Sequence, residues 1–157
     1  MIWTKPHGVE AKDQVFLNCE YRGTTAAIRG DTVVWDTTAA AVSDDALGVG
    51  VVASYPVANL ALVAGVLEQA AAAQPNIATV GVRGPMVLVQ CFGYHDKVQL
   101  SAGAGGAGTG ILVTGSTLGK ATADASVTTT AEVIGAFGYL METYGSPGAY
   151  KCMIKAM

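Results

Sequence analysis

Residues 59–74 read NLALVAGVLEQAAAAQ, and the fold class turns on how this stretch is read. Alanine and leucine favour a helix by intrinsic propensity, Asn59 is a good N-cap, and Pro75 is a stop. Against that, Gly65 lies inside the stretch, and Val63 and Val66 prefer extended backbone. We read a strand over 63–69. With it the chain is all-β; the alternative, one short helix at 59–74, would make it mainly β with a single helix.

On either side the pattern is extended. Val15-Phe16-Leu17-Asn18-Cys19 opens as a strand, and Gly30-Asp31 is a turn that leads into Thr32-Val33-Val34-Trp35. Further strands are read at 47–52, 77–82, 86–92, 97–100 and 110–113, with one short strand inside 114–130 and another over 133–141. At the end, Tyr150, Cys152 and Ile154 alternate with Lys151 and Lys155, the period of a half-solvated strand. Many short apolar runs separated by Gly and Pro predict a small barrel or sandwich of roughly eight to ten short antiparallel strands. Residues 1–14 are polar and broken by Pro6 and Gly8. They read as an N-terminal arm, leaving 15–157 as a single β domain.

There is an internal echo. VAGVLEQ (63–69) and VIGAFGY (133–139) each carry glycine at the third position. Each is followed by a proline (Pro75, Pro147) and then a further strand. This predicts a weak two-fold repeat of hairpins, too diverged for a solenoid.

Composition narrows the function. Apolar residues make up 51% of the 157 and charged residues 13%, about half the usual share, which excludes a disordered chain. Nine basic against twelve acidic residues give no basic field, so no nucleic-acid partner is expected. Cys19, Cys91 and Cys152 are odd in number and far apart, with no CxxC pair, and read as buried apolar residues of a chain made in a reducing cytoplasm. The N-terminus MIWTKPHGVEAKDQ lacks the pattern of a signal peptide. Residues 46–67 carry no charge over a length that could span a bilayer, but Pro56, Asn59 and three glycines interrupt them and no basic cluster flanks them. Two buried strands explain them better, and no membrane association is expected.

Motifs with chemistry are thin. Gly103, Gly105 and Gly108 fit GxGxxG, but a strand follows where a dinucleotide site needs a helix. Gly115, Gly119 and Lys120 fall one residue short of a phosphate-binding loop, and Ala121 stands where a hydroxyl would hold magnesium. Asp31, Asp36, Asp44 and Asp45 lack calcium-loop spacing and read as turn residues. Tyr94-His95-Asp96, with Cys91 nearby, is the most catalytic-looking cluster, but neighbours on a strand point to opposite faces. No catalytic residue, cofactor or metal is expected.

From Gly30 to the C-terminus the chain runs through the phrases Gly30-Asp31-Thr32-Val33, ALGVGVV (46–52), VAGVLEQ, ATVGVRGPMVLVQCFGYHD (78–96), ILVTGS (111–116) and VIGAFGYLMET (133–143). Over this span it resembles the small capsid decoration (cement) proteins of tailed bacteriophages, and those phrases carry the resemblance. The long loop at 101–110 and the 14-residue arm depart from it. The resemblance implies a non-enzymatic virion protein on the outer capsid surface. It would hold neighbouring subunits of the major capsid protein together, as a homotrimer or as a dimer at two-fold positions. Trp3 and Phe16 are then the candidate interface residues, apolar anchors of an arm that lies on a capsid subunit or adds a strand to it. The same composition suits a head fibre base, a tail part or a minor capsid protein. A small β-fold enzyme or ligand-binding domain using His95 and Asp96 is a further alternative.

Overall fold

The computed structural model describes residues 13–36, 48–51, 63–75, 82–103, 110–114, 117–124 and 136–156. Among them lie nine strands and no helix: β1 (Val15–Tyr21), β2 (Thr32–Trp35), β3 (Gly48–Val51), β4 (Val63–Leu67), β5 (Met86–Gly103), β6 (Ile111–Thr114), β7 (Ala121–Asp124), β8 (Gly138–Leu140) and β9 (Gly148–Lys155). The predicted strand at 77–82, except Val82, and most of the arm lie outside the described residues, as do Trp3, Gly105, Gly108, Asp44 and Asp45. The all-β reading holds, and the helix alternative for 59–74 fails in the part that is described. Val63–Leu67 is a strand and the residues after it, to Pro75, are irregular. The reason is burial on both faces. Val63 and Val66 pack into one apolar cluster while Ala64 and Leu67 pack into another, and a strand buried on both sides reads as a continuous apolar run.

The nine strands form one sheet that closes on itself twice. Pairing runs β1-β3-β2-β4-β5 and returns to β1, making a first ring of five strands. It then runs β5-β7-β6-β8-β9 and returns to β5, making a second. The single strand β5 is thus shared by both rings along its 18 residues. Its first half pairs with β1 and β4, so that Gln90 faces both Phe16 and Val66. Its second half pairs with β9 and β7, so that Leu100 faces both Gly148 and Ala121.

This corrects two expectations. The segments 86–92 and 97–100 are one long strand rather than two short ones. Nor is the pairing wholly antiparallel: β1–β3 and β5–β7 are parallel. Closure demands it. Each antiparallel pairing reverses strand direction, so a closed ring must contain an even number of them, and a ring of five strands needs at least one parallel pair. Also, β3 and β4, the two strands read within 46–67, do not pair with each other; β2 lies between them.

The two rings have the same topology. If the strands of each are numbered from one to five, both follow the order 1-3-2-4-5, with the single parallel pair between the first and third. Hydrogen bonds repeat as well. Leu67 N–H donates to the Asp31 carbonyl at 2.9 Å, and Leu140 N–H donates to the Gly110 carbonyl at 2.7 Å. Glu68 N–H reaches Leu88, and Met141 N–H reaches Lys151, at 3.0 and 2.9 Å. The predicted echo is therefore present, with a shifted register. Gly65 corresponds to Gly138, not to Gly135: Gly65 faces Val33 on β2, and Gly138 faces Leu112 on β6. A Cβ on Gly65 would overlap the Gln90 carbonyl oxygen of the next strand, and one on Gly138 would overlap that of Met153.

Each ring encloses apolar side chains. Cys19, Tyr21, Val33, Val49, Leu67, Val87 and Val89 fill the first. Val98, Leu100, Leu112, Ala121, Phe137, Leu140, Cys152 and Ile154 fill the second, with Val63 and Val66 reaching into it from β4.

Candidate interaction surface

The outward face of the β1–β5 pair carries the largest apolar exposure on any strand described. Directly opposed residues in an antiparallel pair share a face. The opposed pairs here are Phe16 with Gln90, Asn18 with Leu88, and Glu20 with Met86. Phe16, Leu88 and Met86 are 37, 39 and 46% exposed, while Val87 and Val89 between them are buried in the first ring. The sequence pointed to Phe16 but not to Leu88 or Met86. The run MVLV (86–89) is apolar without alternation, so its composition does not say which face is covered; Val87 and Val89 are buried while Met86 and Leu88 are exposed. The other candidate anchor, Trp3, lies outside the described residues.

The second ring supplies an internal comparison. Val66 and Leu67 face Gln90 and Val89, as Tyr139 and Leu140 face Met153 and Cys152. On that register Leu88 corresponds to Lys151 and Met86 to Ala149, and Lys151 is exposed. At the Leu88 slot, therefore, the same topology carries leucine in one ring and an exposed lysine in the other.

The remaining candidate clusters resolve into structural contacts. Lys120, the near phosphate-loop lysine, is paired with Asp31 at 2.9 Å. Asp31 also accepts the Ile28 N–H at 2.9 Å, so the carboxylate organises the turn before β2. Asp36 pairs with Arg22 at 3.1 Å, and Arg22 in turn approaches the buried Glu20 carboxylate at 3.4 Å. Glu20 also accepts the Gly84 N–H at 2.6 Å, which leaves this buried acid compensated. No group of three or more potential metal ligands occurs among the described residues.

His95 and Asp96 are not assembled for catalysis. His95 is buried, while Asp96 is exposed and paired with Arg29 at 2.8 Å. Burial opposes the Asp96 charge, but the Arg29 guanidinium outweighs it and holds the carboxyl below its ordinary pKa.

All three cysteines are free and buried. Burial pushes the Cys19 thiol up to about 11, helped by Cys91, and the Cys152 thiol up to about 12, helped by Glu142. Thiols held this way are poor nucleophiles. A thiol-reactive chromophore at mildly alkaline pH is expected to label none of the three in the native chain and all three after denaturation. Rapid native labelling of Cys19 or Cys152 would contradict this burial. No helix among the described residues is long and apolar enough to cross a membrane.

The fold and this surface define a class: an all-β protein of two five-stranded rings sharing one long strand, with an apolar strip on the outside of one ring. No family model matches the chain, and no curated protein matches it. Among solved structures it is similar to the head fiber gp8.5 N base in bacteriophage phi29, at 15% identity and a TM-score of 0.49, over 90% of this chain and 96% of that one. A likeness of this degree transfers no function.

Proposed function

We propose that this protein is a structural virion component that binds the outside of an icosahedral phage head and stabilises contacts between subunits of the major capsid protein. The observation that carries the reading is the exposed Phe16, Leu88 and Met86 on one face of β1–β5, with Leu88 standing where the second ring holds Lys151. An exposed apolar strip costs solubility unless something covers it, and here a ring of the same chain shows the solvated alternative. The resemblance of the sequence to capsid decoration proteins supplies the partner. Binding only the assembled shell, such a protein stabilises it by mass action, and many copies add up. Self-association as a homotrimer, or as a dimer at two-fold positions, belongs to the same proposal.

The test counts copies. Mass spectrometry of purified virions should give this chain in a simple icosahedral ratio to the major capsid protein. A ratio of a few per cent would point instead to a fibre or tail part, and absence from particles would overturn the virion reading. Leu88→Lys copies what the second ring already carries, so the chain should fold normally. Its occupancy on capsids should fall about tenfold or more, the loss of one well-packed apolar anchor. Unchanged occupancy would exclude this face as the contact.

A further inference from the structure

The two rings meet where β5 passes from one to the other, and the residues there form a connected set. On the β9 side, His95 faces Cys152 and Val98 faces Tyr150, so Asp96 and Lys97 bulge against the single residue Lys151. The His95 side chain is buried at this bulge. Its Nδ1 accepts the Lys97 backbone N–H at 3.0 Å, which pins the bulged loop and requires the imidazole to be neutral with its hydrogen on Nε2. Nε2 makes no hydrogen bond. The Glu68 carboxylate, just beyond β4, lies 3.5 Å from it. Arg29, in the connection before β2, spans Glu68 at 3.0 Å and Asp96 at 2.8 Å. Arg29 and Glu68 belong to the first ring, while the bulge pairs with the second.

We propose that His95 is a proton-operated latch between the rings: neutral, it holds the β5 bulge closed; protonated, it releases it. The incoming proton must go to Nδ1, because Nε2 already carries one. Nδ1–H then faces Lys97 N–H, donor against donor, and the contact that closes the bulge is lost. The imidazolium is left buried beside Glu68, for which Arg29 already competes. Asp96 faces solvent and is held by the same guanidinium, and the Cys152 thiol across the pair is neutral and offers no charge. Opening the bulge, so that the imidazolium swings towards Glu68 and water, is the relief the structure allows.

The direction of the pH response follows. Burial lowers the His95 pKa, with Arg29 adding to it; Glu68, Asp96 and the Leu67 carbonyl pull the other way and lose. The folded chain therefore binds the proton less readily than the unfolded one. The stability that neutral His95 contributes is complete above the ordinary value of 6.5 and drains away as pH falls from there towards the folded pKa.

The test is an NMR titration of the full ¹⁵N-labelled chain from about pH 7.5 to about pH 4.5, with the His7 signal identified by substitution. At neutral pH the His95 ring should show an unprotonated Nδ1. At its midpoint, the Lys97, Val98 and Tyr150 amides should lose about tenfold or more of their exchange protection, after correction for intrinsic pH dependence. His95→Gln should remove that pH dependence. Should that variant fail to fold, Glu68→Gln, which takes away the acid 3.5 Å from Nε2, should move both the His95 midpoint and the amide transition to lower pH together. The latch is overturned if His95 titrates while the bulge amides stay protected, if His95 stays neutral with the bulge intact throughout the range, or if the amides open with the same midpoint in either variant. The inference stands independently of what the apolar strip binds.

Discussion

Gly65→Ala is expected to cost about 4 kcal/mol or more of folding stability, among the largest effects of any single methyl addition. Two causes combine. Gly65 has φ of +146°, a backbone that side chains with a Cβ rarely adopt. Its Cβ would also overlap the carbonyl oxygen of Gln90 and crowd the Val89 side chain, and backbone in a paired strand cannot move aside without breaking the β4–β5 ladder. Gly138→Ala should behave alike, through the Met153 carbonyl, because it fills the same slot of the second ring. Gly145→Ala is the control. A Cβ there meets nothing closer than the Tyr150 hydroxyl at 3.9 Å, and the change should stay within about 0.5 kcal/mol. Denaturant midpoints for the three variants settle the matter; a near-neutral Gly65→Ala would contradict the pairing of β4 with β5.

The second large effect concerns cooperativity. Leu112 is fully buried in the second ring and Val89 in the first. Leu112→Ala should cost about 2–5 kcal/mol and Val89→Ala somewhat less, through lost burial and the cavity left behind. Either change should shift one shared unfolding transition rather than split it. β5 contributes a strand to both rings, and Val66 of the first packs into the core of the second, so neither ring can open without uncovering the other. Calorimetry that resolved two separate transitions in either variant would show the rings to be independent units.

Much of this was written in local residue patterns. β-branched residues beside Gly-Asp placed β2, alternation placed β9, and the valines flanking Gly65 identified β4 as extended despite its alanine-rich surroundings. The single strand β5 was not legible. Gly93-Tyr94-His95-Asp96 has the composition of a turn, yet the chain absorbs a positive φ at Gly93 and a bulge at Asp96-Lys97 and continues. The parallel pairs were hidden for a different reason: they follow from ring closure, a global condition that no local window contains. The repeat was visible but misaligned by three residues, because Gly135 and Gly138 both suit a glycine pattern and only the strand register selects the second. At the candidate surface, Phe16 stood out as a large apolar residue near the arm. Leu88 and Met86 did not, because hydrophobicity alone does not say which face of a strand is covered.

The shared strand also imposes an order on how the molecule is made. β1 leaves the ribosome early but must wait for Met86–Phe92 before its pairing with β5 is complete. The first closure is therefore a long-range event and the slow one. Once it has happened, residues 94–103 extend from a paired first half of the same strand, with β6 to β9 following in sequence. The second ring then assembles on a template instead of searching for its first strand. During synthesis the N-terminal half can settle before the C-terminal half exists, which shortens the time that β5 spends as an apolar, unpaired segment open to aggregation.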